Sequence, residues 1–268
     1  MTTDDQPVAL ITGASEGIGR ALALHISQTT DYPRVVITAR SIERLESLAA
    51  QMREQGCDVL CVMTDVTDAD ACLALIAQTL SHFGRLDTLF NNAGATMWAA
   101  FRDTDPEVFR RVMEVNYFGA LNCTRAALNA LTKSRGRIVL VASVAGFTGV
   151  PMRTGYAASK HAAVGLFESL RIELAETGVS VTIIAPDFVV SSIHRRALTG
   201  DGSALGESPM RESKIMTAQR CAQLILDATQ RRKRLLVTSW RGRLGRYLRL
   251  IAPRLIDRIA ENAIRKGH

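Results

Sequence analysis

The chain has 268 residues, of which 47% are hydrophobic and 22% are charged, a composition that suits one large α/β domain, or two small ones, with a sizeable core. Its first residues, MTTDDQP, are acidic and unlike a signal peptide, and no apolar run reaches the ~18 residues of a membrane-spanning helix. The five cysteines have no CxxC pair and no metal-ligand spacing, so we expect a reducing cytoplasm and no metal site.

The net charge of +7 is unevenly distributed along the chain. Residues 231–268 contain twelve Arg or Lys residues and two acids, so the rest of the chain is slightly acidic. The basicity is therefore a property of the tail. A basic patch can bind nucleic acid, but this tail has no recognised motif and no aromatic interleaving, and we expect no nucleic-acid partner.

Short apolar runs alternate with longer amphipathic stretches. The runs are rich in Val, Ile and Leu without polar alternation, which is typical of parallel strands covered on both faces. The predicted strands are 8–11, 34–38, 59–63, 88–90, 138–142, 179–185 and 235–238. The predicted helices are 17–29, 41–55, 68–83, 106–132, 155–176 and 217–230. This order predicts an α/β fold in one domain, residues 1–240, with a doubly wound, mainly parallel seven-stranded sheet and helices on both faces.

A glycine-rich turn, TGASEGIG, follows the first predicted strand at residues 12–19. Its glycines, Gly13, Gly17 and Gly19, would allow a tight turn, close approach of a pyrophosphate, and the start of a helix whose N-terminus attracts the anion. Such turns also occur without a ligand. The position between a strand and a helix favours a nucleotide site.

The end of the second strand bears on which nucleotide binds. A free ribose 2′-hydroxyl is usually held by an acid at this point, whereas this strand ends at Arg40 without an acid. A guanidinium matches a 2′-phosphate in charge and planar geometry, so we expect NADP(H). A solvated arginine is the alternative. Glu16, inside the glycine-rich turn, is an objection because it adds negative charge nearby.

Polar residues also follow the fourth and fifth strands. The run FNNAG closes the fourth strand at residues 90–94, and Ser143 follows the fifth. Tyr156 and Lys160 lie four residues apart, on one face of a predicted helix, where the cation should lower the pKa of the tyrosine from roughly 10. Such a tyrosine can transfer a proton near neutral pH. The ends of these strands border the ligand crevice of a doubly wound sheet, which favours a functional site over a surface Tyr–Lys pair.

TGASEGIG, NNAG, Asn116, Ser143 and the run YAASK at 156–160, in this order, resemble the short-chain dehydrogenase/reductase family over roughly residues 8–240. The resemblance implies a Rossmann-type fold and a nicotinamide-dependent oxidoreductase that interconverts carbonyls and secondary alcohols. It implies that Tyr156 is the general acid/base and that Ser143 hydrogen-bonds the reacting oxygen. It further implies that Lys160 binds the nicotinamide ribose and lowers the pKa of Tyr156, and that Asn116 orders a water in a proton relay.

The resemblance also implies a set of cofactor contacts. In the glycine-rich turn they are Gly13, Ser15, Glu16, Gly17, Ile18 and Gly19. Arg40 follows the second strand, and Asp65 and Val66 follow the third. The others are Asn91, Asn92, Ala93 and Gly94 in the FNNAG run, here called the amide turn, and Pro186, Val189, Tyr156 and Lys160.

The chain departs from the family pattern after the sixth strand and again after the seventh. The family usually has glycine after the proline that follows the sixth strand, and this chain has Asp187. Because Asp tolerates unusual backbone angles, we expect the turn to survive, with a carboxylate near the carboxamide end of the nicotinamide. The threonine often found a few residues later is here Ser191 or Ser192. Many acyl-carrier reductases of the family end soon after the seventh strand, whereas this chain continues to residue 268.

The substrate is expected to be an apolar ketone or alcohol, such as a steroid-like or long-chain acyl compound, bound at a loop near 188–215. The segments around Asn116 and Tyr156, with the basic tail, are similar to the branch that contains membrane-associated hydroxysteroid dehydrogenases. A reductase of 3-oxoacyl thioesters and a catalytically silent, cofactor-bound scaffold or sensor are the alternatives.

Family members commonly pair through the helices that correspond to 106–132 and 155–176, so a homodimer or homotetramer is expected. The apolar positions Leu166, Leu170 and Leu174 recur at helical spacing on the second of these helices. They would suit a partner helix, and they would equally suit the protein's own sheet.

The extension at residues 241–268 combines an apolar stripe with many arginines. The stripe consists of Leu244, Leu248, Ile251, Leu255 and Ile259. Pro253 interrupts it, so we expect two short helices, the second beginning near Pro253. Such a tail can lie in the headgroup region of an anionic membrane, which would make a cytoplasmic protein peripherally membrane-associated. A tail folded over the substrate cleft or across a subunit interface is the alternative.

Overall fold

A computed structural model of the chain describes residues 6–29, 31–209 and 215–265. Part of the predicted substrate loop, 210–214, and the end of the extension, 266–268, lie outside the described residues.

Seven strands form one parallel sheet in the order β3-β2-β1-β4-β5-β6-β7, which confirms the predicted fold. The strand order reverses between β1 and β4, and ligands bind at this point in open α/β sheets. The strands are β1 Val8–Thr12, β2 Arg34–Ala39, β3 Asp58–Met63, β4 Thr88–Asn91, β5 Arg137–Val141, β6 Ser180–Ala185 and β7 Leu235–Val237.

Helices cover both faces of the sheet. Alternate side chains of β1 explain why its sequence is apolar throughout: Ala9 and Ile11 pack under α1, α2 and α7, while Val8 and Leu10 pack under α3, α5 and α6. The helices are α1 Gly17–Ser27, α2 Ile42–Arg53, α3 Ala69–Phe83, α4 Pro106–Met113, α5 Gly119–Lys133, α6 Thr154–Glu173, α7 Ala218–Gln230, α8 Trp240–Ile251 and α9 Pro253–Arg265.

The helix predicted at 106–132 is confirmed, since residues 106–133 are continuously helical, but one turn of it has a different geometry. A π-helical turn, Glu114–Phe118, separates α4 from α5 and contains Asn116. Next to it, Gly119 packs so tightly that a Cβ on it would lie 2.6 Å from the Cγ2 atom of Val66. Turns of this kind often occur at functional sites, and here the turn carries one of the predicted site residues.

The leucine stripe on α6 packs into the chain's own core. Leu174 is buried, and Leu166 and Leu170 lie against the cluster of buried residues around Phe167. The second of the two interpretations of this stripe therefore fits the structure, and the stripe gives no support for a partner helix. The homo-oligomer stays a prediction.

The extension forms two helices, α8 and α9, and the second begins at Pro253 as predicted. It rests on the body of the protein, since the Arg249 guanidinium donates a hydrogen bond to the Phe147 carbonyl and the Arg246 guanidinium lies 5.3 Å from the centre of the Phe147 ring. Among the described residues, every helix is too short or too polar to cross a bilayer. The division into a catalytic domain at 1–240 and an extension at 241–268 stays a prediction.

Candidate active site

The two predicted turns at the ends of β1 and β4 are joined through Thr12. The Thr12 hydroxyl accepts hydrogen bonds from the backbone N–H groups of Asn92 and Ala93, each at 3.0 Å. The Asn92 side chain donates in return to the carbonyls of Thr12, at 2.9 Å, and of Gly13, at 3.2 Å. The glycine-rich turn and the amide turn therefore form one rigid rim where the strand order reverses.

The glycine-rich turn has the geometry of a phosphate cradle. Gly13 and Gly17 have φ values of +65° and +55°, which favour glycine. A Cβ on Gly13 would lie 2.8 Å from the Ala93 Cα, and one on Gly19 would collide with the Asn92 side chain. Helix α1 begins here, and the residue before it, Glu16, makes no side-chain capping bond, so backbone N–H groups at the helix start are available for an anion. These residues fit a dinucleotide pyrophosphate.

A cavity of about 830 Å³ extends from this cradle to α6. Most of the predicted cofactor residues line it: Gly13, Ser15, Glu16, Ile18, Arg40, Asp65, Val66, Asn92, Ala93, Gly94, Tyr156, Lys160, Pro186 and Val189. Gly17 and Gly19 shape the turn without lining the cavity. Asn91 is also absent from the wall, because its side-chain amide is directed into the core and donates to the Thr124 hydroxyl at 2.8 Å.

Three arginines lie at the end of the cavity next to β2. Arg40 lines the wall as predicted, and sequence reasoning missed its neighbours Arg44 and Arg196. Glu16 forms ion pairs with both of the missed arginines and accepts a hydrogen bond from Ser192. Burial, with the nearby charges of Arg44 and Arg40, lowers the pKa of Arg196. The carboxylate that was an objection to NADP(H) is thus neutralised, and this end of the cavity is positively charged.

Asn116 is buried behind the cavity wall. Its side chain accepts from the Ala95 N–H and donates to the Ala95 carbonyl, both at 2.9 Å. It also donates to the Ser159 hydroxyl at 2.8 Å, and that hydroxyl donates to the Tyr156 carbonyl at 2.8 Å. The π turn therefore connects the amide turn to the helix that carries Tyr156.

Tyr156 and Lys160 share one face of α6, as their spacing predicts, and both are buried at the cavity wall. Burial raises the pKa of Tyr156, but the charges of Lys160 and Arg153 and side-chain hydrogen bonds with Ser143 and Arg153 outweigh it, so the pKa lies below its usual value. Burial also lowers the pKa of Lys160, which donates to the Val141 carbonyl at 3.0 Å. The arrangement suits a tyrosine that gives up and regains a proton.

Ser143 lies beside Tyr156 at the end of β5. Its hydroxyl accepts from the Ala145 N–H at 3.2 Å and lies 3.4 Å from the Pro186 carbonyl, to which it donates. These bonds fix the hydroxyl at the cavity wall, within reach of Tyr156.

Arg153 is a second residue that sequence reasoning missed. It immediately precedes α6 and is 6% exposed, with its guanidinium carbon 4.3 Å from the centre of the Tyr156 ring. The sequence shows an arginine three residues before the tyrosine, a spacing that could have suggested proximity on one helix face, but it does not show burial.

Asp187 lies in the turn that follows β6, and this turn forms without glycine. Among the described residues other than glycine, positive φ angles occur only at Arg135, Met152 and Arg232, so the turn does not require a glycine-like conformation at Asp187. Its carboxylate lines the cavity and accepts from the Ser239 hydroxyl at 2.7 Å and from the Phe188 N–H at 3.0 Å. The carboxylate is therefore held toward the start of α8.

Comparisons with solved structures agree with this geometry. A short-chain dehydrogenase/reductase from Burkholderia phymatum in complex with NAD is 26% identical, with a TM-score of 0.81, and the match covers 95% of this chain and 96% of that one. An alcohol dehydrogenase from the archaeon Thermococcus sibiricus complexed with 5-hydroxy-NADP is 27% identical, with a TM-score of 0.74, over 87% of this chain and 95% of that one.

Sequence comparisons lead to the same group of proteins. Dehydrogenase/reductase SDR family member 7B of Rattus norvegicus is 34% identical over 269 residues, which cover 97% of this chain and 82% of that protein. 11-beta-hydroxysteroid dehydrogenase A of Arachis hypogaea is 36% identical over 259 residues, which cover 93% of this chain and 73% of that protein. The family model described as short chain dehydrogenase matches residues 7–201. The chain belongs to the short-chain dehydrogenase/reductase family of oxidoreductases.

Proposed function

We propose that this protein is an NADP(H)-dependent carbonyl reductase or alcohol dehydrogenase acting on an apolar ketone or secondary alcohol, with Tyr156 as the general acid/base. The observation that carries the proposal is the position of Tyr156, which is buried at the cavity wall beside Lys160 and Arg153 with a lowered pKa. A scaffold or sensor that only binds cofactor has no need of such a tyrosine.

The residues of the site divide the chemistry of carbonyl reduction between them. When bound, the nicotinamide supplies a hydride to the carbonyl carbon. The Ser143 hydroxyl holds the carbonyl oxygen, and the Tyr156 hydroxyl transfers its proton to that oxygen as negative charge develops on it. Lys160 stabilises the resulting phenolate, which solvent then reprotonates. Alcohol oxidation is the reverse, with the Tyr156 phenolate accepting the proton.

The proposed preference for NADP(H) rests on Arg40, with Arg44 and Arg196 beside it. Their positive charge at the β2 end of the cavity suits a 2′-phosphate, and Glu16 is already paired with two of the three. The solved relatives support a nicotinamide cofactor of either kind, since one is complexed with NAD and the other with 5-hydroxy-NADP.

The proposed substrate class rests on the wall of the cavity beyond Tyr156. Val144, Val150 and Leu198 line it there. A second, mainly apolar cavity of about 220 Å³ lies next to the first under α8 and α9, and the two share Val144, Val150, Asp187 and Phe188. A long apolar body could occupy both. The relative named as a hydroxysteroid dehydrogenase supports a substrate of this kind.

We also propose that α8 and α9 contact an anionic membrane. Their outer surface exposes apolar side chains. Leu250 and Ile251 are each 80% exposed, so no other described residue covers them. The two helices also carry six exposed arginines, Arg241, Arg243, Arg246, Arg249, Arg254 and Arg258, of which Arg246 and Arg249 contact Phe147. Apolar side chains beside arginines suit a headgroup region, and each cation near an anionic surface contributes about 1 kcal/mol.

Replacement of Tyr156 by Phe tests the proposed function. The change removes the proton donor while keeping the ring, so NADPH binding should persist while turnover of a panel of ketones falls by ~10²–10⁴-fold. Oxidation of NADPH, followed by its absorbance, measures the rate, and the panel separates ketones from 3-oxoacyl thioesters. Retention of more than about a tenth of wild-type turnover would be incompatible with a general acid of this strength.

A further inference from the structure

The mechanism proposed above makes limited use of Arg153. This residue is 6% exposed, yet it lines the main cavity together with Tyr156, Ser143 and Val150. The short-chain family motifs quoted in the sequence do not include it. A buried guanidinium is costly unless hydrogen-bond acceptors or negative charges compensate it.

The partners of Arg153 within the chain do not satisfy it. A guanidinium has five N–H donors and no acceptor. One nitrogen, Nη2, donates to the Thr96 hydroxyl at 2.8 Å. The guanidinium also hydrogen-bonds the Tyr156 hydroxyl, and its carbon stands 4.3 Å from the centre of the Tyr156 ring. The Nε atom is buried and has no hydrogen-bond partner.

No carboxylate among the described residues forms an ion pair with Arg153. Burial lowers its pKa, and the one group that acts in the opposite direction is Tyr156. The acids that line the cavity are placed elsewhere: Glu16 pairs with Arg44 and Arg196, Asp65 accepts from Thr67, Asp187 accepts from Ser239 and Phe188, and Glu114 is exposed on the π turn.

The charges at this wall leave an excess of positive charge. Lys160 and Arg153 are both buried cations, and Tyr156 can contribute at most one negative charge when it is a phenolate. The Tyr156 side chain and the Thr96 hydroxyl compensate the buried Arg153 cation only in part. Unpaired donors at the wall of a cavity are typical of sites where a ligand supplies the acceptor, and a site built this way rejects ligands that lack it.

We propose that Arg153 binds an anionic oxygen group of the substrate, a carboxylate or a phosphate, located a few bonds from the reacting carbonyl. The short distance follows from the stacking of the guanidinium on the ring whose hydroxyl meets the carbonyl oxygen. The inference rests on the proposed function, and it narrows the substrate from an apolar ketone to an amphiphile. The anionic end would lie between Arg153 and Tyr156, and the apolar body would lie along Val144, Val150 and Leu198.

Matched pairs of substrates test this specificity. One pair is a long-chain 3-oxo carboxylate and its methyl ester, and the other is a long-chain 1-hydroxy-2-ketone and its phosphate monoester. With the wild-type protein and NADPH, kcat/KM should favour the charged member of at least one pair by about tenfold to a hundredfold, mainly through KM, as expected for a charge-assisted hydrogen bond. The pair that shows the preference tells carboxylate from phosphate.

Substitutions assign the preference to the residue. Arg153→Met keeps an apolar stem and removes the charge, so the charged-to-neutral ratio of kcat/KM should fall by about tenfold or more, and Arg153→Lys should restore part of it. Arg102→Met, at an exposed arginine away from the cavity, should leave the ratio unchanged. If Arg153→Met instead lowers both members of each pair equally and moves the pH profile, the residue acts on Tyr156 alone and the proposal is wrong.

A binding measurement decides the question without turnover. Calorimetric titration of the wild-type protein with NADP⁺ present should show that a long-chain carboxylate or alkyl phosphate binds at least tenfold more tightly than the matching uncharged alcohol. Equal affinities overturn the proposal even if neutral ketones are reduced. Absence of any ketone reduction, with this charge preference intact, would instead count against the proposed function.

Discussion

Replacement of Arg40 by Ala should change the cofactor preference of the enzyme. Arg40 is exposed at the end of β2 and lines the cavity. It forms no ion pair with another of the described residues. The substitution therefore removes the proposed contact to the 2′-phosphate of NADPH without disrupting an ion pair within the protein. NADH has no such phosphate, so its affinity should change little.

Because Arg40 is exposed to solvent, the loss of NADPH affinity should lie near the lower end of the range for charged hydrogen bonds. Such bonds contribute about 1.5–3 kcal/mol, and exposure to solvent weakens them. We therefore expect Arg40→Ala to raise the Kd of NADPH by roughly tenfold, while Arg44 and Arg196 retain part of the affinity. Titration of the nicotinamide fluorescence for both cofactors measures the ratio, and added salt should reduce the difference.

A change at Glu16 should act in the opposite direction. Glu16→Gln removes a negative charge and releases Arg44 and Arg196 from their ion pairs, so the preference for NADPH over NADH should rise. Arg53→Ala, at the far end of α2 where the arginine pairs with Glu46, is a control that should affect neither cofactor. Equal losses of NADPH and NADH affinity in Arg40→Ala, or a wild-type preference for NADH, would refute the reasoning.

Three further predictions concern proton transfer, packing and the tail. Lys160→Met should raise the pKa of Tyr156, because it removes the cation that favours the phenolate. Alcohol oxidation needs the phenolate, so its kcat/KM should begin to rise at a higher pH than in the wild-type protein. An unchanged pH profile would contradict this role of Lys160. Gly119→Ala should lower the free energy of unfolding in denaturant by about 1–3 kcal/mol, because a Cβ would lie 2.6 Å from a buried valine methyl. Gly165→Ala, where a Cβ would meet no atom within 4 Å, should raise it by up to about 1 kcal/mol. Deletion of 241–268 should abolish co-sedimentation with anionic liposomes at low salt, and absence of binding by the full chain would exclude the membrane contact.

The sheet and the glycine-rich turn could be predicted because their signals are local. Seven uninterrupted apolar runs correspond to seven strands, since each strand must be apolar on both faces of a covered sheet. The turn at 12–19 follows from glycines whose conformations depend on their own residues, and Pro253 ends one helix and begins another for the same reason.

The remaining features depend on residues that only the fold brings together. The π turn at 114–118 is held by bonds from Asn116 to Ala95 and Ser159, which lie 21 and 43 residues away in sequence. The burial of Arg153 depends on Thr96, and the neutralisation of Glu16 depends on Arg196. The leucine stripe of α6 shows a related limit, because helical spacing identifies an apolar face and does not say which surface covers it.

The hydrogen bond between Asp187 and Ser239 joins the catalytic cavity to the tail. Asp187 lies in the cavity wall after β6, while the Ser239 hydroxyl caps the first turn of α8 by accepting from the Gly242 N–H at 3.0 Å. A surface that draws α8 away would act on this bond, and so would a ligand that displaces the carboxylate. Thermodynamic linkage requires the two effects to be reciprocal: the factor by which lipid changes ligand affinity equals the factor by which ligand changes lipid affinity. Ligand binding in the cavity and lipid binding by the tail would then be two measures of the same conformational equilibrium.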